Sequence, residues 1–149
     1  MATKRVLCGW FPLAILGAVG LACLPGCGGV KRVPVSGTVT VDGKPLNGGT
    51  LTFNPDGAKG NTAQIAGNGA VKDGHYELAT SGITKADSGP GLPLGWYKVT
   101  WNPPMLATKK KPQTSVDVND KYKSVETTTL SVEVKENAQP GAYDFDLTK

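Results

Sequence analysis

Few side chains in this 149-residue chain have the chemistry to act as catalytic or metal-binding groups. His75 is the single histidine, so neither a paired imidazole system nor a histidine-based metal cluster can be built within one chain. Asp144 and Asp146 lie two residues apart, a spacing that puts both carboxylates on one face of a strand. Such a pair could act as acid and base or hold a cation, but alternating carboxylates are more typical of a solvated edge strand. We therefore predict no catalytic residue, no metal site and no cofactor.

The cysteines indicate a different chemistry, namely the attachment of a lipid. Residues 24–27 read Leu-Pro-Gly-Cys, which resembles the lipobox at which bacterial lipoproteins are cleaved and acylated. Cys23 is a rival site because Ala22 is small, but Gly20 stands where the leucine of a lipobox is expected. We predict lipidation at Cys27 with cleavage before it. The other two cysteines then leave with the leader, and the mature chain has no free thiol.

The segment before the lipobox has the order of an export signal. Lys4 and Arg5 form a basic start, and residues 6–24 carry no charge. An uncleaved signal anchor is the alternative, because this run approaches the roughly 20 residues that span a bilayer. Pro12 and several glycines interrupt the run and favour a cleaved signal. The predicted divisions of the chain are a signal peptide over residues 1–26, a lipidated N-terminus with a short tether over 27–32, and one domain over 33–149.

A lipid at Cys27 would place the domain beside a membrane. A tether of about five residues reaches at most roughly 18 Å, and anionic headgroups would attract Lys31 and Arg32 at that distance. Aspartate directly after the acylated cysteine is the usual inner-membrane retention signal in many diderm bacteria, and Gly28 stands there instead. The sequence thus predicts a lipid-anchored protein on the periplasmic face of the cell envelope, with the outer membrane favoured.

Beyond residue 30, apolar and polar residues alternate with the period of β-strands. Asp42-Gly43 and Asp73-Gly74 supply the conformational freedom that tight hairpin turns require. Seven such segments predict an all-β fold, a seven-stranded antiparallel β-sandwich. The residues predicted to face its interior include Phe53, Tyr97, Val99, Trp101, Leu130, Val132, Val134, Tyr143, Phe145 and Leu147.

The same alternation leaves some residues as candidates for a binding surface. Trp96 points away from the core and could stack on a sugar ring or a partner protein. Alternatively, and in preference, it lies under the loop that precedes it or covers the second face of its strand. Two connections, residues 79–94 and 103–124, exceed the length usual in a compact sandwich, and such loops are either functional or mobile. The possible binding surface comprises Trp96 and the loop lysines Lys109, Lys110 and Lys111, although a basic run is usually solvated surface.

Three stretches of the chain carry a resemblance to a known family. They are SGTVTVDGKPLNGGTLTFNP, GAVKDGHYEL and GWYKVTW, beginning at residues 36, 69 and 95. In this order they resemble the carboxypeptidase regulatory-like domain, whose pattern is G-x-V-x-x-D-G-x-P-L, then D-G-x-Y, then G-x-Y-x-V. The ending, DKYKSVETTTLSVEV followed by YDFDL, is similar to small bacterial envelope lipoproteins built on that domain. The resemblance covers most of residues 33–149 and implies a prealbumin-like (transthyretin-type) sandwich.

These observations exclude some functions and favour one. The chain carries a net charge of +4, and without the two basic residues of the leader it keeps 14 basic against 12 acidic residues, or +2. That balance predicts no nucleic-acid partner. We expect a non-catalytic envelope lipoprotein that binds the membrane through its lipid and binds or scaffolds an envelope protein or polysaccharide. The alternative is an accessory domain or weak hydrolase acting on envelope peptide or carbohydrate, with His75, Asp144 and Asp146 as its only conceivable catalytic groups.

Overall fold

The computed structural model describes residues 30–82, 85–104 and 117–149, and these parts of the chain are built from strands without an α-helix. Three 3₁₀ helices, Gly57–Lys59, Lys85–Asp87 and Asp120–Lys123, lie between the strands. The strands are β1 (Ser36–Val41), β2 (Lys44–Pro45), β3 (Thr50–Pro55), β4 (Gly67–Ala70), β5 (His75–Glu77), β6 (Ala79–Thr80), β7 (Gly89–Pro90), β8 (Gly95–Asn102), β9 (Ser131–Val134) and β10 (Phe145–Leu147).

The strands form two sheets that pack into a sandwich. In the first sheet β1 pairs with β2, β5 and β10, and the second sheet has the order β7-β6-β4-β3-β8-β9. Rings from both sheets meet between them, with centroids 5.9–6.3 Å apart, namely those of Phe53, Tyr76, Tyr97 and Phe145. Tilted and edge-to-face ring contacts of this kind add to the stabilisation from burial alone. The predicted all-β, two-sheet sandwich is confirmed at this level.

The alternation also predicted the faces of the strands correctly. Of the ten residues expected inside, seven are buried, and Leu130, Val132 and Phe145 are partly buried and pack against the core. Both predicted hairpin turns are present, with φ values of 49° at Asp42 and 50° at Asp73. Each aspartate is followed by a glycine with φ above 70°, so both turn residues lie in the left-handed region that type I′ turns require.

Two features of the sheets differ from the expectation. The described residues hold ten strands where the alternation predicted seven, because the connection over residues 79–94 contains β6 and β7 and the segment after the Asp42-Gly43 turn contains the two-residue β2. The described strands pair mainly antiparallel, as expected, but β10 runs parallel to β1, with Val39 opposite Phe145 and Val41 opposite Leu147. Parallel and antiparallel strands share the same side-chain period, so alternation alone cannot distinguish them.

The described chain contacts the second sheet before β1 begins. Val33 and Leu92 form an antiparallel bridge with two backbone hydrogen bonds of 2.8 and 2.9 Å. Lys31 forms an ion pair with Glu136, and Arg32 Nη2 donates a hydrogen bond of 3.2 Å to the carbonyl oxygen of Ser88. The basic pair that was expected to face lipid headgroups thus makes contacts with the sandwich itself.

Candidate functional site

Trp96 is the only residue of the predicted binding surface that falls within the described residues; Cys27 and Lys109 to Lys111 lie outside them. Trp96 is the second residue of β8 and is half-buried on the outer face of the second sheet. The first part of the lysine-containing connection is described only as far as Pro104, which lies just beyond the other end of β8. An eight-residue strand is about 26 Å long, so the described stem of that connection lies far from Trp96.

Lys59 covers the indole ring of Trp96. Its Nζ lies 3.9 Å from the ring centroid and also donates a hydrogen bond of 2.8 Å to Ser131 Oγ. An ammonium group over an indole face is attracted by the negative face of the ring system. The residue over the ring therefore comes from the helix Gly57–Lys59 and not from the loop that precedes Trp96.

The backbone of Trp96 is fixed by the segment that carries Lys59. Its carbonyl oxygen accepts hydrogen bonds from Asp56 N at 2.9 Å and from Asn61 Nδ2 at 2.7 Å. Asn61 is only 8% exposed, and its Oδ1 accepts a hydrogen bond from Ala63 N. Asp56 caps the short helix by accepting from Ala58 N at 3.2 Å. These hydrogen bonds were not predicted from the sequence. Aspartate is a preferred helix N-cap residue, so Asp56 could have indicated the start of the short helix.

Leu94 completes a small surface around the indole. Its side chain is 42% exposed, and it lines, with Lys59, Asn61 and Trp96, a cleft of about 180 Å³. We refer to these four residues as the Trp96 patch. It presents apolar groups and one ammonium group, which suit contact with a partner surface, while the amide of Asn61 is buried and already hydrogen-bonded.

A second concave surface lies beside β5 on the first sheet. This open groove, the β5 groove, has a volume of about 720 Å³ and is lined by Ser36, Gly37, Thr38, Ala70, Lys72, His75, Tyr76 and Glu77. His75 is exposed, as predicted for a residue on the outer side of a hairpin strand, and Glu77 shares its face. The groove therefore offers an ammonium group, an imidazole and a carboxylate to a polar ligand.

Tyr76 contributes to the core beneath this groove rather than to its chemistry. Its hydroxyl donates a buried hydrogen bond of 2.6 Å to the carbonyl oxygen of Tyr143. Burial, with a further contribution from the charge of Asp144, raises the pKa of the Tyr76 hydroxyl far above its ordinary value. The hydroxyl stays protonated and acts as a hydrogen-bond donor that joins β5 to the segment before β10.

Asp144 and Asp146 accept hydrogen bonds from β1 and from the turn that follows it. Asp144 Oδ1 accepts from Thr38 N at 2.7 Å. Asp146 Oδ1 accepts from Thr40 Oγ1 at 2.6 Å and from Gly43 N at 3.2 Å, and these bonds lower the pKa of its carboxyl group. Within the described chain, Asp144 thus binds Thr38, the β1 residue that pairs with His75, while Asp146 binds farther along β1 at Thr40.

The described residues hold neither a cluster of metal ligands nor a helix that could span a membrane. In residues 30–82, 85–104 and 117–149, no group of three or more His, Cys, Asp or Glu side chains could hold a metal ion. Asp120, a possible calcium ligand by type, forms an ion pair with Lys123. None of the helices in the same residues is long and apolar enough to cross a membrane.

The fold and its surfaces define the class of the chain as an all-β, two-sheet sandwich. Comparisons with protein family models, with curated proteins and with solved structures found no match.

Proposed function

We propose that this chain is a lipid-anchored protein of the bacterial cell envelope, acylated at Cys27. Its sandwich then serves as a non-catalytic binding or scaffolding domain of the carboxypeptidase regulatory-like, prealbumin-like type. The observation that carries the proposal is the lipobox-like sequence over residues 24–27, followed after four residues by the first contact of the domain, that of Lys31 with Glu136. Four residues span at most roughly 14 Å, so an acylated Cys27 would hold the sandwich against the bilayer.

Two surfaces support a binding role. The Trp96 patch has a fixed aromatic ring beside an exposed leucine, and the β5 groove has polar side chains of both charges. Recognition needs only a complementary shape and a few anchoring side chains. Asp144 and Asp146, in contrast, already have a structural role in attaching β10 to β1.

The anchor is tested by replacing Cys27. We expect the wild-type membrane form to begin at Cys27 and to carry acyl mass, because the thiol is the acylated group. Cys27→Ala should accumulate as an uncleaved precursor without lipid, whereas Cys23→Ala, the matched control, should be processed normally. Intact-mass measurement of each purified form decides between these outcomes. A wild-type chain that begins elsewhere, or that lacks acyl mass, contradicts the proposed anchor.

The binding role is tested by purifying the lipidated protein from membranes together with its partners. A stoichiometric envelope protein or polysaccharide that is lost when Lys72 and Glu77 are both replaced by alanine would assign the β5 groove as its site. The hydrolase alternative draws support from His75 and Glu77, which share this groove. A reproducible hydrolytic activity on envelope peptide or carbohydrate that disappears in His75→Ala would favour that alternative over a binding domain.

A further inference from the structure

The tether reaches the sandwich at the start of β8. Val33 forms an isolated antiparallel bridge with Leu92, two residues before Leu94, which places this part of the chain beside the residues that lead into β8. The ion pair of Lys31 agrees with this placement, because Glu136 follows Val134 by two residues and Val134 pairs with Gly95. Two independent contacts therefore place the tether next to the Trp96 patch.

The exposed apolar side chains of the described residues gather at the same place. Val30 and Leu94 are the two large hydrophobic residues exposed there, at 41% and 42%. Val30 directly precedes Lys31, whose ion-pair partner Glu136 follows Val134 by two residues, and Val134 pairs with Gly95. Leu94 and Trp96 line the same small cleft. Single exposed apolar residues need no explanation, but here two of them and an indole adjoin the point where the tether arrives.

The charges at this place favour an anionic partner. Lys31 is paired with Glu136, and Lys135 is paired with Glu133. Lys59 contacts the indole ring and a serine hydroxyl, and neither group neutralises its charge. The Trp96 patch therefore combines apolar side chains with an ammonium group whose contacts here are uncharged.

We propose that the Trp96 patch and Val30 form a membrane-contacting surface. The apolar side chains enter the interfacial region of the bilayer, and Lys59 contacts the phosphates of anionic lipids. Tryptophan is well suited to this region because its ring is apolar and its N–H is polar. The inference rests on the proposed function, since the anchor at Cys27 is what selects this face.

The length of the tether explains why this face and not another meets the lipid. From Cys27 to Lys31 the chain spans at most roughly 14 Å, whereas β8 leads about 26 Å away from the Trp96 patch to Asn102. The far end of the sandwich therefore cannot replace the Trp96 patch at the bilayer while Lys31 stays bound to Glu136.

The experiment places the purified lipidated protein in vesicles of phosphatidylcholine and phosphatidylglycerol whose acyl chains carry bromine, which quenches tryptophan emission on contact. Cleavage before Cys27 removes Trp10 and leaves Trp96 and Trp101. Trp101 is 3% exposed and lies near the far end of β8, so its emission should not change. We expect quenching in the wild type, its loss in Trp96→Phe, and a clear reduction in Leu94→Ser.

Control variants separate the possible outcomes. Lys72→Ser, in the β5 groove, should leave the quenching unchanged, whereas Lys59→Gln should reduce it only in vesicles that contain phosphatidylglycerol. An acylated protein with no quenching of Trp96 overturns this inference and leaves the proposed function standing. A protein without acyl mass at Cys27 overturns the proposed function and this inference together.

Discussion

At the scale of single residues, Asp144 and Asp146 show how exposed carboxylates can support the pairing of two strands. Both are exposed, as the sequence predicted, yet each accepts a hydrogen bond of 2.6–2.7 Å from β1. Hydrogen bonds to a charged acceptor are shorter and stronger than those between neutral groups. The two side chains therefore add polar contacts to the parallel pairing of β10 with β1.

Asp146 makes the stability of the sandwich depend on acid pH. The hydroxyl of Thr40 and, to a smaller extent, the amide of Gly43 lower the pKa of this carboxyl in the folded state. Because the unfolded chain then binds the proton more readily, the stabilisation is complete above the ordinary aspartate pKa of about 3.9. It is lost as the pH falls through the lower folded-state pKa.

We therefore expect the free energy of unfolding of the wild type to fall more steeply than that of Asp146→Asn as the pH is lowered below about 3.9, the ordinary pKa of an aspartate. Urea unfolding at a series of pH values measures this difference. Thr40→Val is the control, because it removes the strongest donor and should weaken the pH dependence while the carboxylate remains. Parallel pH profiles for the wild type and Asp146→Asn would show that these hydrogen bonds do not shift the titration.

At the scale of elements, alternation predicted which residues form strands and which side chains face inward. Tyr97 and Val99 are fully buried on β8, while Trp96 and Lys98 lie half-buried on its other face, as the period of two requires. Alternation does not predict which strands pair with one another. β10 lies beside β1 because segments distant in sequence fit together, and no local pattern contains that information.

Gly37 shows why the pairing of strands cannot be predicted from the local sequence. A β-carbon at this position would lie 2.3 Å from the carbonyl oxygen of Tyr143, far closer than atoms can approach. Glycine is therefore required where the segment before β10 crosses close to β1. In the sequence, Gly37 is recognisable only as a residue that disfavours a strand. Its close contact with Tyr143 is seen only in the folded structure. The same holds for Lys59 and Asn61, whose roles at Trp96 depend on a distant strand.

Phe53 and Phe145 provide a test of how the two sheets pack. Phe53 is fully buried, and its ring contacts those of Tyr76, Tyr97 and Phe145, so it has neighbours on both sheets. We expect Phe53→Ala to lower the free energy of unfolding by about 3–5 kcal/mol. Phe145 is only half-buried, so Phe145→Ala should cost clearly less. Urea melts with unchanged slopes measure both values, and a larger loss for Phe145→Ala would contradict this packing.

At the scale of the whole molecule, Trp96 and the described stem of the lysine-containing connection lie towards opposite ends of β8. Trp96 lies at the end of the sandwich where the tether arrives, and Pro104, the last described residue before the lysine-containing connection, follows the opposite end of β8. If the first end meets the membrane, the second end and the β5 groove are available to other envelope components. The proposed arrangement thus assigns the Trp96 patch to lipid and the β5 groove to a soluble or cell-wall partner.

The tether and the Trp96 patch can be distinguished by lengthening the tether. Ten glycine and serine residues inserted between Gly29 and Val30 would add a mean reach of roughly 17 Å, so the anchor alone would no longer hold the domain at the bilayer. The lipid would still keep the domain at a high effective concentration near the surface. The Trp96 patch would therefore still bind the membrane if it has an affinity for lipid that does not depend on the short tether.

We expect the lengthened protein to retain quenching of Trp96 by brominated lipids in vesicles that contain phosphatidylglycerol, because Leu94 and Lys59 supply apolar and ionic contacts independently of the tether. Leu94→Ser in the lengthened protein should abolish this quenching, whereas in the natural tether it should only reduce it. Loss of quenching on lengthening alone would mean that the short tether, and not the affinity of the Trp96 patch for lipid, brings this face to the bilayer.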